Sequence, residues 1–123
     1  MNDQKPAETM RQSASRDDAD TARRAAEVMY ANDTAAQSLG ITLEEIRPGF
    51  SRMRMAVRED MLNGHRSCHG GLIFTLADTA FAFACNSHNQ LAVAQHCSIT
   101  YLIPGRIGDR LTATAIETSR RGR

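Results

Sequence analysis

The sequence predicts a single α+β domain in which one buried helix is covered by antiparallel strands. Residues 72–86 are apolar around most of a helical turn and contain no proline, which is typical of a central helix. Strand-forming residues dominate two segments before this helix and two after it, at 41–47, 50–57, 91–103 and 109–117. The length of 123 residues matches one domain of ordinary size.

The amino-terminal part divides into a polar stretch and a helix. Residues 1–20 offer few apolar side chains to bury, so we expect a disordered polar tail there. From Thr21 onward, apolar residues recur at i, i+3, i+4 and i+7, which predicts an amphipathic helix. These residues are Ala22, Ala25, Ala26 and Met29. The folded domain is therefore expected to occupy residues 21–123.

The strands are predicted from alternation and from turn residues. Apolar and polar side chains alternate through residues 50–57, which indicates a strand with one solvent-facing side. Pro48-Gly49 is a turn signal, so residues 41–57 are interpreted as a β-hairpin. The four predicted strands are a minimal cover for an apolar helix, and the sequence stops directly after the last of them without a capping element, so we expect a domain that is incomplete at its carboxyl terminus.

Composition excludes several classes of protein. The net charge is +1 and the basic residues are scattered, which gives no case for a nucleic acid or an acidic membrane as partner. No apolar run approaches the ~18–20 residues of a membrane span, and the first residues do not resemble a secretory signal. Three cysteines without paired spacing exclude a disulfide scaffold and fit the cytoplasm.

A stripe of polar residues crosses the apolar helix at Thr75, Asp78 and Thr79. Asp78 is the only carboxylate on this helix, and burying a charged carboxylate without partners is costly. One hypothesis is a threonine–aspartate hydrogen-bond cluster that fixes packing. The other is a general base or nucleophile held in an apolar pocket, and the sequence leaves both open.

The residues before the helix, His69-Gly70-Gly71, are a second candidate feature. Glycine lets the backbone approach a ligand closely, and the free N–H groups of a first helical turn carry partial positive charge. Such a helix start can polarise a carbonyl group and hold a developing oxyanion. A tight turn into the helix without a ligand is the more common use of two glycines.

The same loop contains three residues that can act as metal ligands, His65, Cys68 and His69. A zinc site needs three or four ligands in firm geometry, and no recognisable ligand pair is present, so we predict no metal. Cys68 with a histidine partner is an alternative nucleophile. A small buried cysteine is the commoner role.

Three segments resemble a known family: MYANDTAAQSLGI, LNGHRSCHGGLIFTLADTAFAFACNS, and QHCSITYLIPGRIGDRLTATA. Together they closely resemble the hotdog-fold acyl-CoA thioesterases, and within them the phenylacetate-degradation branch. The resemblance covers about residues 21–118 and rests on Asn63-Gly64, His69-Gly70-Gly71 and Asp78 at these spacings. It implies a long central helix wrapped by a curved antiparallel sheet, in dimers or tetramers.

The resemblance also implies an activity, the hydrolysis of an aryl-acetyl-CoA thioester such as ring-hydroxylated phenylacetyl-CoA. Asp78 matches the catalytic carboxylate, as base or nucleophile, and Gly70 matches the residue whose backbone N–H polarises the thioester carbonyl. No cofactor is implied. The remaining implied residues shape the site or contact substrate: Asn63, His69, Gly71 and Thr79.

Two other functions stay open on the same scaffold. One is a non-catalytic module that binds CoA, and the other is a dehydratase acting on hydroxyacyl thioesters, which pairs a carboxylate with a histidine.

Gly70 and Asp78 are separated by about 12 Å along one helix, at ~1.5 Å per residue. We therefore expect each active site to lie at a dimer interface, with Gly70 from one chain and Asp78 from its partner.

Overall fold

The computed structural model describes residues 5–120, with side chains described from residue 16 onward. Residues 1–4 of the predicted tail lie outside the described part. Three helices, a three-stranded antiparallel sheet and one short 3-10 helix, Glu59–Met61, form an α+β unit. In chain order the main elements are α1 Lys5–Asn32, α2 Thr34–Ser38, β1 Thr42–Arg47, β2 Phe50–Ala56, α3 Gly70–Asn86 and β3 Arg110–Ile116.

Helix α1 begins at Lys5, whereas the sequence predicted a disordered tail up to residue 20. Pro6 falls in the first helical turn, where its missing N–H removes no hydrogen bond, and the rest of the helix contains neither proline nor glycine. The predicted helical periodicity after Thr21 is confirmed, because Ala22 and Ala26 are buried. This half of α1 packs against β1 and α3.

The predicted β-hairpin is confirmed as β1 and β2, which pair antiparallel. Gly49 in the connecting turn has φ +71°, a left-handed conformation that favours glycine. Along β2, Met53 and Met55 are buried against the core, while Arg54 on the opposite face is exposed. Strand β3 pairs with the other edge of β2, so the sheet order is β1-β2-β3.

Helix α3 lies across the sheet and packs mainly on β2 and β3. One face is buried, through Leu76, Thr79, Ala80, Phe83 and Ala84. The sequence predicted a central helix buried on nearly all sides. In a single chain, only the face toward the sheet is buried. Ala77, Asp78 and Phe81 on the opposite face are exposed, because three strands cover only one side of the helix.

The strand predicted at residues 91–103 does not form within the described part of the chain. A strand needs a neighbour for its backbone hydrogen bonds, and no described strand pairs with this segment or with the free edge of β3. Leu91 and Leu102 are accordingly 95% and 87% exposed.

Beside α3 and β3, an open cavity of about 500 Å³ remains, lined by Ile73, Leu76, Ile103, Leu111 and Ala113 among others. None of the described helices is both long and apolar enough to cross a bilayer.

Candidate active site at the start of helix α3

The loop before α3 is shaped by the side chain of Asn63. Its Oδ1 atom accepts hydrogen bonds from the backbone N–H groups of His65 (2.9 Å) and Ser67 (3.2 Å). The Asn63 N–H in turn donates to the Ser67 carbonyl at 2.8 Å. An asparagine side chain that accepts hydrogen bonds from backbone N–H groups of its own loop fixes the conformation of the turn. Asn63 thus fixes the conformation of this loop, and its role in orienting the loop around a thioester stays a prediction.

Two further backbone hydrogen bonds hold the residues immediately before the helix. The Cys68 N–H donates to the Gly105 carbonyl at 2.8 Å, and the His69 N–H donates to the Met61 carbonyl at 2.8 Å. The His69 side chain is exposed and makes no capping hydrogen bond to the helix. The peptide that carries the Gly70 N–H is therefore anchored from both sides of the loop, while the imidazole is left accessible.

Gly70 is the first residue of α3, so its N–H has no partner within the helix. Among the backbone groups of residues 5–120 and the side chains of residues 16–120, none accepts a hydrogen bond from it. A Cβ atom built on Gly71 would have nothing within 4 Å, so the space beside the second residue is open. The helix start thus presents an available donor next to unoccupied space.

Sequence reasoning missed Tyr101 at this helix start. Its hydroxyl donates to the Gly70 carbonyl at 2.8 Å, and a Cβ atom on Gly70 would lie 3.0 Å from the Tyr101 ring. The contact crosses from the irregular segment after α3 back to the first residue of the helix. Only spatial proximity reveals it, because the residues lie 31 positions apart and share no motif.

Asp78 lies on the exposed face of α3 rather than in an apolar pocket of its own chain. The predicted cluster of threonines around it is wrong. Thr75 donates to the Gly71 carbonyl at 2.9 Å and Thr79 to the Thr75 carbonyl at 2.6 Å, so both hydroxyls serve the helix backbone. Among the side chains of residues 16–120, none forms a hydrogen bond or ion pair with Asp78.

One chain does not bring all predicted site residues together. Asn63, His69, Gly70 and Gly71 gather at the start of α3, and Thr79 is buried on the face toward the sheet. Asp78 stands eight residues beyond Gly70, which is about 12 Å along the axis at ~1.5 Å per residue. Water or a carboxylate must lie within about 3 Å of the reacting carbon, so Asp78 cannot serve the Gly70 of its own helix.

The other chemistries considered for this loop gain little from the structure. Burial raises the pKa of the Cys68 thiol, which lowers the thiolate fraction and opposes a nucleophilic role. Its Sγ atom contacts the His69 carbonyl at 3.7 Å rather than an imidazole nitrogen. Across the described residues, no three histidine, cysteine or acidic side chains are close enough to hold a metal ion.

Comparison with known proteins identifies the family. A family model described as the thioesterase superfamily matches residues 65–123. The acyl-coenzyme A thioesterase PaaI of Escherichia coli strain K12 is 56% identical over 90 residues, which are 73% of this chain and 64% of that protein. The matched region thus spans less than two thirds of the length of that curated relative.

Solved structures agree with the sequence comparison. The E. coli PaaI protein from the phenylacetic acid degradation operon superposes with a TM-score of 0.77 at 52% identity, covering 78% of this chain and 70% of that chain. The TT0310 protein of Thermus thermophilus has a TM-score of 0.72 at 37% identity, covering 75% and 78%. With its long helix packed on an antiparallel sheet, this chain belongs to the thioesterase superfamily of hotdog-fold proteins.

Proposed function

We propose that this chain hydrolyses acyl-CoA thioesters to the free acid and CoA, and that phenylacetyl-CoA with or without ring hydroxyl groups is the substrate class. One observation carries the proposal: the Gly70 N–H at the start of α3 has no acceptor among the described residues, and the space beside the next residue, Gly71, is open. Similarity to the acyl-coenzyme A thioesterase PaaI supports the reaction. The origin of the E. coli PaaI structure, the phenylacetic acid degradation operon, supports the substrate class.

The chemistry follows from where charge develops. When a nucleophile adds to the thioester carbon, the carbonyl oxygen becomes an oxyanion, and the partly positive N–H groups of a helix start stabilise it. In this proposal the Gly70 N–H donates to that oxygen. On one route Asp78 takes a proton from the attacking water, the C–S bond breaks, and that proton passes to the departing CoA thiolate. On the other route Asp78 itself attacks the carbon, the C–S bond breaks to leave CoA and a mixed anhydride, and water hydrolyses the anhydride, giving the free acid and the protons that CoA and solvent take up. Neither route requires a cofactor.

The separation of Gly70 and Asp78 leads us to include a second copy of the chain in the active site. In a two-fold dimer with antiparallel α3 helices, the Gly70 end of one helix lies near Asp78 of its partner. An exposed stripe on α3 supports this arrangement, because Ala77, Asp78 and Phe81 lie together on it and Phe81 is 41% exposed. The assembly proposed is a homodimer, or a tetramer made of two such dimers.

We also propose a reducing compartment, the cytoplasm, as the site of action. Cys68, Cys85 and Cys97 are all free, and a protein of an oxidising compartment rarely keeps three unpaired thiols. Cell fractionation with an antibody to this chain tests the location.

A thiol-release assay tests the reaction. Purified protein is incubated with phenylacetyl-CoA, hydroxyphenylacetyl-CoA and a series of alkyl-CoA thioesters, and liberated CoA is measured with a thiol-reactive dye. We expect the aryl-acetyl thioesters to give the highest kcat/KM. Thiol release no faster than that of an Asp78→Ala variant contradicts the proposal.

The same assay separates the two competing functions when a 3-hydroxyacyl-CoA is added to the panel and ultraviolet absorbance is followed beside thiol release. A dehydratase would convert hydroxyacyl-CoA to the conjugated enoyl-CoA, so ultraviolet absorbance would rise while no thiol appears. A non-catalytic module would bind a non-hydrolysable CoA thioether in calorimetry and change neither signal. Either pattern replaces the hydrolase assignment.

A further inference from the structure

Tyr101 makes two contacts with the residue that supplies the proposed oxyanion donor. The three atoms nearest to a Cβ position on Gly70 all belong to the Tyr101 ring and hydroxyl, at 3.0, 3.2 and 3.3 Å. The Tyr101 hydroxyl also donates to the Gly70 carbonyl at 2.8 Å. The ring thus lies against the α-carbon, and the hydroxyl holds the carbonyl of the same residue.

The chain near Tyr101 also holds the other side of the helix start. The Gly105 carbonyl accepts the Cys68 N–H at 2.8 Å, and a Cβ atom on Gly105 would lie 3.2 Å from the Cys68 Cβ. Residues 101–105 contain no helix or strand, so these contacts with the site loop help to fix their position. Residues 101–105 therefore contact the loop on both sides of His69, at Cys68 and at Gly70.

From this geometry we propose that Tyr101 is a positioning residue for the carbonyl-polarising helix start, an inference that rests on the proposed function. Glycine has the widest backbone freedom of any residue, and two successive glycines at a helix start leave their N–H groups poorly fixed. An oxyanion donor is effective only when it is already oriented. Tyr101 restricts Gly70 by contact and by hydrogen bond, while the space beside Gly71 stays open for the thioester.

The hydroxyl has a second effect through the peptide group that joins Gly70 and Gly71. A hydrogen bond accepted by a carbonyl polarises its peptide, and chains of such bonds strengthen one another. Donation by Tyr101 to the Gly70 carbonyl therefore makes the Gly71 N–H a stronger donor. The N–H groups of both glycines therefore depend on the same tyrosine, that of Gly70 through position and that of Gly71 through polarisation.

The test separates the ring from the hydroxyl. We expect Tyr101→Phe to lower kcat on phenylacetyl-CoA by roughly fivefold, the effect of one ordinary hydrogen bond. Tyr101→Ala, which loses the ring as well, is expected to lower kcat by about 50-fold or more, with a much smaller change in KM. Tyr30→Phe is the matched control, because Tyr30 also donates to a backbone carbonyl, that of Ile41 at 2.8 Å, away from the site. Its kcat should equal that of the wild type.

A double variant tests the contact itself. Gly70→Ala inserts a methyl group 3.0 Å from the Tyr101 ring, so the ring must move and kcat should fall. Combined with Tyr101→Ala, the same methyl group meets no ring, and the double variant should be no slower than Tyr101→Ala alone. Additive losses, or a Tyr101→Ala kcat within twofold of the wild type, overturn the inference.

A readout independent of turnover keeps this inference distinct from the proposed function. If wild-type protein releases no CoA from any thioester, the hydrolase assignment fails while the positioning role is still measured by ¹⁵N relaxation. Order parameters of the Gly70 and Gly71 amides should fall in Tyr101→Ala and stay unchanged in Tyr30→Phe. Unchanged order parameters in Tyr101→Ala overturn the positioning role.

Discussion

At the scale of single residues, Asp78 is an exposed carboxylate with no hydrogen-bond or ion-pair partner among the side chains of residues 16–120. Its helix neighbours Ala77 and Phe81 are exposed with it, and the threonine hydroxyls nearby serve the helix backbone instead. A carboxylate in water needs no donor from the protein, but a second chain placed on this face would remove it from water. In the proposed dimer the carboxylate is therefore desolvated beside the reacting thioester, and this suits a base or a nucleophile.

We therefore predict that Asp78→Asn keeps the fold but lowers kcat on phenylacetyl-CoA by about 10²–10⁴-fold. The amide is nearly isosteric with the carboxylate, yet it is neither a base nor a nucleophile. Thiol release is measured beside thermal unfolding of the same preparation. Glu27→Gln, a similar change at an exposed site on α1, is the control and should leave kcat unchanged. A folded Asp78→Asn variant with kcat close to wild type would remove Asp78 from the mechanism.

The three cysteines should differ in reactivity with alkylating reagents. Burial raises the pKa of the Cys68 thiol, and burial followed by the charge of Glu117 raises the pKa of Cys85. The thiolate is the reactive form, so both residues carry less of it at a given pH, and their alkylation should rise only at higher pH. Cys97 is exposed and should be labelled first at about pH 8.

Iodoacetamide labelling followed by peptide mass spectrometry measures this order. Denatured protein serves as control, since unfolding should make the three rates similar. Labelling of native Cys68 as fast as Cys97 at about pH 8 would contradict the buried position of Cys68.

At the scale of elements, the sequence predicted those whose partners are local or whose pattern is strong. The hairpin of β1 and β2 follows from alternation around the Pro48-Gly49 turn, and β3 follows from alternation in residues 109–117. The segment 91–103 has equal strand propensity but no described neighbour, and a strand is a property of a pair. Local patterns could not reveal that missing partner.

The candidate site also divides into residues that local sequence can indicate and residues whose role depends on tertiary contacts. The glycines of the helix start could be singled out from local backbone geometry, and Asn63 only from the family resemblance, and their part in the chemistry stays a prediction. The exposure of Asp78 could not be predicted, since it depends on how much of α3 the sheet covers. Tyr101 could not either, because its contact with Gly70 is purely tertiary.

The hairpin turn gives a test at this scale. Gly49 has φ +71°, and a Cβ atom there would lie 2.8 Å from Oε2 of Glu117. Gly49→Ala should therefore destabilise the fold by about 1–2 kcal/mol from the backbone alone, with the steric contact added. Gly64→Ala is the matched control, because its Cβ position has nothing within 4 Å. Denaturant unfolding measures both, and equal midpoints would contradict the strained turn.

At the scale of the whole molecule, α3 separates the two halves of the proposed machinery. The donor group is at its first residue, Gly70, and the carboxylate is on its exposed face at Asp78. The sheet covers the opposite face, where Leu76 and Phe83 are buried. Under the proposed mechanism, an isolated chain thus has the parts of a site but no complete site, and the proposed second chain on the exposed face supplies what each one lacks.

Mixed dimers of two inactive variants test this arrangement. Asp78→Ala removes the carboxylate, and Gly70→Pro removes the helix-start N–H and also inserts ring atoms toward Tyr101. In a mixed dimer, one site pairs the intact Gly70 of the first chain with the intact Asp78 of the second, and the other site has neither. Co-expression with two different affinity tags yields mixed dimers, and thiol release from phenylacetyl-CoA should reach about half the wild-type rate per dimer, one active site of two. Each parent homodimer should be inactive. If verified mixed dimers stay as inactive as their parents, each chain must supply both groups to its own site, and the separation of about 12 Å along α3 has to close by a rearrangement of the helix start.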